Sequence, residues 1–143
     1  MAITIRQATL ADAETIAELL GQLGYPHTRA QTVDMLQQIF DWPGQEVRVA
    51  EQQRRVVAVM LLSQCPALGE QQYGEIRSLV TDNRYRGQGV GGLMIADAER
   101  WTAAAGLDRL RVRCNRVRDD AHRFYRQAGF SEQKQQLVFE KSL

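Results

Sequence analysis

The run Arg86-Gly87-Gln88-Gly89-Val90-Gly91-Gly92 constrains this chain more than any other feature. Glycines at alternate positions, with a further one directly after, leave the backbone almost bare of side chains. Glycine permits positive φ and lets another group approach the main chain closely. A strand pattern, Tyr73 to Thr81, precedes the run, and an amphipathic helical pattern follows it. The first N–H groups of a helix have no internal partner, and the macrodipole puts partial positive charge there. Strand, glycine loop and helix in this order make an anion cradle suited to a phosphate or pyrophosphate. A tight turn that binds nothing would need only one or two glycines, so the cradle is the stronger reading.

The details exclude several phosphate-binding families. No Lys-Ser/Thr follows the glycines, as a Walker A loop requires. Gly87, Gly89 and Gly92 match a dinucleotide fingerprint in form. That fingerprint needs an acid about 20 residues on, at the end of the next strand. Asp108 lies before that strand instead, and the strand ends at Asn115. No His-Arg-Asp or Asp-Phe-Gly of a protein kinase occurs.

Another pattern fits: Arg or Gln, two residues, Gly, one residue, then Gly or Ala. Arg86, Gly89 and Gly91 satisfy it. Downstream stand Asn115, then Ala121-His122-Arg123-Phe124-Tyr125 and Gly129-Phe130. Together these resemble the GCN5-related N-acetyltransferase (GNAT) family, which binds acetyl-CoA, over nearly the whole chain. The resemblance implies an α/β (α+β) acyl-CoA N-acyltransferase fold. Its central sheet is mixed and mostly antiparallel, with six or seven strands flanked by about four helices. The expected order is β-α-α-β-β-β-α-β-α-β(-β), in one N-acetyltransferase domain over residues 1–143.

Composition agrees with a soluble globular domain of ordinary size. The chain has 143 residues, 44% hydrophobic and 24% charged, with a net charge of +1. Such a balance gives no global attraction to nucleic acid or to an anionic membrane. Arginine is nonetheless dense between Arg109 and Arg126, as a solvated face or as a basic rim for a phosphorylated ligand. Met1 to Gln7 has no apolar core and carries Arg6, so no signal peptide is expected. No apolar stretch approaches the roughly 18 residues of a membrane helix. Cys65 and Cys114 sit in apolar strand patterns and are expected to be buried free thiols. A cytoplasmic location follows.

Periodicity supplies the elements. Ile3 and Ile5 alternate with polar residues as in a short strand. Thr9 to Asp12 is a capping-type start, and Ile16, Leu19, Leu20 and Leu23 recur at helical spacing up to about Gly24. Thr28 to Gln31 is a second capping box, ahead of Val33, Leu36 and Phe40. Val47 and Val49 alternate, Gln52 to Arg54 reads as a polar turn, and Val56 to Leu62 is an apolar run fit for a central strand. Val90, Leu93, Met94, Ala98, Trp101 and Ala105 give the helix after the cradle its core face. Leu110, Val112 and Cys114 mark a half-buried strand. Ala121, Phe124, Tyr125 and Ala128 form the stripe of the next helix, and Leu137 and Phe139 mark a final strand.

Acetyl transfer to an amine sets the chemistry to look for. An alkylammonium with a pKa near ~10.4 cannot attack a thioester at neutral pH, so a general base must take a proton. Glu75 is the candidate, since the family often has an acid at this strand position. Equally, it is an exposed carboxylate at a strand start, paired with Arg77. Glu70 and His27 are weaker substitutes. Tyr125 is the candidate acid for the departing thiolate, against the reading of a core aromatic with a wet tip. The pantetheine arm carries amides and can pair with a strand edge. The resemblance puts this at the main chain of Leu79, Val80 and Thr81, with an N–H, that of Val80, polarising the thioester carbonyl. It gives Asn115 a hydrogen bond to the pantetheine, although a strand-end turn residue is nearly as good a reading. The cradle, Arg86 to Gly92, takes the pyrophosphate: Arg86, Gly87, Gln88, Gly89, Val90, Gly91 and Gly92.

Acetyl-CoA is thus the expected co-substrate, with direct transfer in a ternary complex and no metal. The acceptor is a primary amine of a small molecule, a peptide or a protein, and a homodimer stays open. The family draws acceptor contacts from the first two helices and the last hairpin, here Gly24 to Gln38 and Ser131 to Gln136. Tyr25, His27, Arg29 and Trp42 are candidates for that wall, each with a packing or loop explanation. Two other readings compete: a non-catalytic acyl-CoA-binding module, and a nucleotide-binding oxidoreductase domain.

Overall fold

The alternating pattern in the first half of the chain becomes an antiparallel meander with helices on both faces. The computed structural model describes residues 2–114, 116 and 118–143. In chain order the elements are β1 (Ile3–Gln7), α1 (Ala13–Gln22), α2 (Arg29–Phe40), β2 (Gln45–Gln52), β3 (Arg55–Cys65), β4 (Tyr73–Thr81), α3 (Val90–Ala104), β5 (Leu110–Val112) and α4 (Asp119–Gln127). Single helical turns at Leu10–Asp12 and Asn83–Tyr85 precede α1 and the glycine run. The strands lie in the order β1-β2-β3-β4-β5, antiparallel except for the last pair. The chain divides into two compact units, Met1–Val112 and Arg113–Leu143.

Local chemistry sets the element boundaries in the first unit. The Asp12 carboxylate accepts the Thr9 N–H at 2.8 Å, and Gly24, at φ +97, follows the end of α1. At α2 the Gln31 N–H donates to Thr28 Oγ1 at 3.1 Å while the Thr28 N–H donates to Gln31 Oε1 at 2.9 Å. This reciprocal box satisfies two orphan donors, an arrangement worth about 1 kcal/mol. Gln53 and Arg54, at φ 51 and 64, make the two-residue hairpin between β2 and β3. That left-handed pair matches the twist of the flanking strands.

Two faces of the sheet carry two layers. Val47, Val49, Val59 and Val80 pack with Ile16 and Leu19 of α1 and Leu36 of α2. On the opposite face α3 meets Gly74, where a Cβ would come within 2.7 Å of Thr102 Oγ1. Only glycine allows that approach. Arg48 of β2 grips the buried Asp97 of α3 with two hydrogen bonds, at 2.9 and 3.0 Å. Val90, Met94, Ala98 and Thr102 are the buried stripe of α3. Leu93 and Ala105, expected in that stripe, are exposed instead. Leu93 lies three residues from Val90, on the flank the stripe turns away from, and Ala105 caps the helix end.

The second unit holds α4, whose Ala121, Phe124, Tyr125 and Ala128 are all half-buried. Tyr125 meets Phe124 and Phe130 edge-on, with ring centroids 5.1 and 5.7 Å apart. Gly129, at φ +97, ends the helix. The expected last strand does not form: residues 130–143 carry no regular structure. Leu137, Val138 and Phe139 are three apolar residues in a row and stay exposed. They offer no alternating face, and a strand without a neighbour leaves its N–H and C=O groups unpaired. Among the described residues the sheet therefore has five strands, not six or seven. Both cysteines are half-buried rather than buried.

Candidate active site

β4 is paired unequally along its two edges. β3 accompanies it from Tyr73 to Thr81. β5 runs parallel to it only at Gly74, Glu75 and Ile76. From Arg77 to Thr81 no strand among the described residues lines that second edge. The register with β3 also shifts between Leu61 and Leu62, a β-bulge that leaves Arg77 without a direct partner. Bulges bend a strand and turn its edge, and they recur beside active sites. The segment expected to pair with a pantetheine, Leu79 to Thr81, thus lies on an open edge able to take an extended, amide-bearing ligand.

That edge leads directly into the glycine run. Gly87 and Gly89 have φ values of +78 and +84, and Gly89 is the N-cap of α3 in the left-handed region. A Cβ at Gly87, Gly89 or Gly92 would meet no protein atom within 4 Å, so side chains would occupy space the glycines leave open. The Leu93 N–H donates to the Gly89 carbonyl at 3.2 Å, and the N–H groups before it lie in the first turn, where helices bind anions. Val90 is buried and anchors the turn, whereas Arg86, Gly87, Gln88 and Gly89 are exposed. The Arg86 Nε donates to the Thr81 carbonyl at 3.4 Å. Bare backbone, a helix dipole and an exposed guanidinium fit a diphosphate.

The other end of β4 is closed. Glu75 is 1% exposed, not the exposed carboxylate one sequence reading allowed. Its Oε2 accepts a hydrogen bond from Arg77 Nη1 at 3.0 Å, with Cys65 Sγ 3.9 Å from the same oxygen. The register sets Glu75 between Ser63 of β3 and Arg111 of β5, and Ser63 in turn donates to Gln45 Oε1. Glu75 thus belongs to a row of polar side chains across one face of the sheet. The weaker substitutes have other work. Glu70 pairs with Arg111 at 2.6 Å, and His27 Nδ1 lies 2.8 Å from the Tyr25 carbonyl.

In the second unit Tyr125 is half-buried among aromatic rings. Burial, reinforced by Cys114 and opposed by Arg118, pushes its phenol up to about 12. It therefore keeps its proton throughout the physiological range. Burial also raises the Cys114 thiol. His122 is half-buried, with Nδ1 3.9 Å from Asp119 Oδ1. Asn115 lies outside the described residues. Of the acceptor-wall candidates, Tyr25 and Trp42 are 60% and 66% exposed. Sequence reasoning missed the bulge at Arg77 and the short pairing of β5.

A five-stranded, mostly antiparallel sheet with four helices, an open β4 edge and a glycine cradle is the acyl-CoA N-acyltransferase fold. The profile of the Acetyltransferase (GNAT) family matches residues 13–130, and the chain belongs to that family. Three solved structures illustrate the likeness. A transcriptional regulator from Bacillus halodurans C-125 is 25% identical, with a TM-score of 0.88, covering 98% of this chain and 100% of its own. The aminoglycoside 6'-N-acetyltransferase AAC(6')-Ig from Acinetobacter haemolyticus is 18% identical, with a TM-score of 0.85 and coverage of 98% and 99%. AAC(6')-Iy, solved with CoA, is 16% identical, with a TM-score of 0.86 and coverage of 99% and 96%. At such identities the last two show the fold alone. No curated protein sequence matches the chain. Among the described residues no helix is long and apolar enough to cross a membrane, and no group of three or more His, Cys, Asp or Glu is placed to hold a metal ion.

Proposed function

We propose that this chain is an acetyl-CoA-dependent N-acetyltransferase, acting as one domain and transferring directly to a primary amine in a ternary complex. The observation that carries this reading is the open edge of β4 running into the glycine cradle of α3. The co-substrate's diphosphate sits on the backbone of Arg86, Gly87, Gln88, Gly89, Val90, Gly91 and Gly92. Its pantetheine pairs with the main chain of Leu79, Val80 and Thr81 and with Asn115. The amine nitrogen forms a bond to the thioester carbonyl carbon, and the carbon–sulfur bond breaks. One proton leaves the ammonium for the base, and one reaches the departing sulfur. Glu75 is the base, relaying through water because its carboxylate is buried, and Tyr125 is the acid. CoA in the AAC(6')-Iy structure supports the choice of ligand.

A second reading has its own support. The Glu75 carboxylate is buried, and its Oε2 is already engaged by Arg77. One similar structure is described as a transcriptional regulator. On that reading the chain is an acyl-CoA-binding sensor or regulatory module with no turnover. Calorimetry with CoA and with NAD, followed by a panel of amines and peptides assayed for free CoA, separates the cases. Binding of CoA but not NAD with turnover supports the enzyme. Binding without turnover on any acceptor supports the module. No CoA binding rejects both.

A further inference from the structure

The glycines that open the cradle also leave it conformationally free, and ordering a free loop on binding costs affinity. Its downstream end is fixed by α3. Its upstream end, Thr81 to Arg86, is held by a cluster that the catalytic reading does not use. The Asp82 N–H donates to the Val57 carbonyl at 2.8 Å, tying the segment to β3. The Asp82 side chain is 2% exposed. Its Oδ1 accepts from the Arg84 N–H at 3.0 Å, from Arg84 Nε at 3.2 Å and from Gln22 Nε2 at 3.4 Å. Its Oδ2 accepts from Arg84 Nη2 at 2.8 Å. Gln22, the last residue of α1, also receives the Asn83 N–H on Oε1 at 2.9 Å. One glutamine thus grips both a side chain and the backbone of a loop 60 residues away.

The charges matter as much as the bonds. Asp82 is a buried carboxylate a few residues before a site built for an anion. The Arg84 hydrogen bonds hold it ionised, with its carboxyl pulled down to about 2. Unanswered, that charge would repel a diphosphate. Arg84 cancels it and, being 59% exposed, presents its own positive face outward.

Building on the acetyl-CoA reading, we infer that Gln22, Asp82 and Arg84 form a clasp that presets the cradle and neutralises its approach. CoA affinity is then set partly by three positioning residues, one of them on α1. The clasp also links the end of α1, three residues before the acceptor-wall candidate Tyr25, to the cofactor loop.

The test is calorimetric titration of CoA into the wild-type chain, Q22A, R84Q and D82N/R84Q, at low salt and at high salt. R84Q is expected to weaken CoA about tenfold or more at low salt, with the gap closing at high salt as screening shortens. Adding D82N should restore most of that loss, because it removes the unanswered charge and keeps an acceptor for the Arg84 N–H. Q22A removes two hydrogen bonds at an exposed position and should weaken CoA roughly three- to tenfold at both salts. It carries the test alone if circular dichroism shows R84Q unfolded. Either of two results overturns the clasp: Q22A and R84Q within twofold of wild type, or an R84Q loss indifferent both to salt and to D82N. A wild-type chain that binds no CoA overturns the acetyl-CoA reading and the clasp with it.

Discussion

At its Thr81 end β4 presents main chain, and at its Glu75 end it presents side chains. The first end is largely half-buried, leads into the glycine run and, among the described residues, is paired on one edge only. The second is buried, paired on both edges and crossed by a row of polar groups from Gln45 to Arg111. A ligand with many amides and phosphates is met by backbone, whose donors are the same whatever the residue. Proton transfer needs one particular side chain in one particular environment. The contrast separates a ligand site made of backbone, which the residue pattern of the glycine run marks, from a proton-transfer site that depends on the surroundings of a single side chain.

The largest expected effect tests the main-chain end. Gly89→Glu should abolish CoA binding by calorimetry while circular dichroism stays native. The added side chain meets no protein atom, so its cost to the fold is the left-handed φ alone, about 1–2 kcal/mol. Retained CoA affinity would remove the cradle from the mechanism.

The next tests the side-chain end. Glu75→Gln should leave CoA affinity within error and lower turnover roughly 10²–10⁴-fold, the usual share of a positioned base. The loss should shrink as pH approaches the acceptor's own pKa, where more free amine is present. A mutant with wild-type rate and pH profile would make Glu75 a structural partner of Arg77.

A smaller effect is expected in the second unit. Tyr125→Phe should lower kcat by about tenfold or more and change the acetyl-CoA KM little, the mark of a group acting in the transition state. With the phenol near 12, this acid stays loaded as pH rises and releases its proton only at the extreme alkaline end. Wild-type turnover should therefore show no alkaline limb from Tyr125 between pH 7 and 10. A limb there that Tyr125→Phe abolishes would mean the phenol titrates far lower.

The smallest effect sharpens the contrast at the closed end by stability alone. Gly74→Ala forces a Cβ against Thr102 Oγ1 at 2.7 Å and Cγ2 at 3.0 Å. Overpacking of this kind costs about 1–3 kcal/mol, visible in urea or thermal melts. CoA affinity should not follow, because the cradle lies at the far end of the strand.

Much of this arrangement was readable from residue order. The cradle announces itself because several glycines in six positions have few other uses. The bounds of β4, the Thr28 box and the Gln52 to Arg54 turn follow from short-range chemistry that sits within a few residues. What escaped depends on distant partners. Nothing near Glu75 in sequence says that Ser63 and Arg111 flank it. Nothing near Asp82 points to Gln22. The bulge at Arg77 is a one-residue slip that alternation alone hides, since Glu75 and Arg77 still read as one face. The final strand was inferred from Leu137 and Phe139, but strand character requires a neighbour that periodicity cannot supply.

The five residues from Arg77 to Thr81 also bear on how the chain behaves in solution. An unpaired strand edge is a template for any other extended segment, including another copy of the same edge. A ligand that hydrogen-bonds along it removes the template as a paired strand would. On the proposed function, an acyl-CoA bound along Leu79 to Thr81 would occupy this edge as a paired strand does, and the chain without it would leave the edge open to other extended segments.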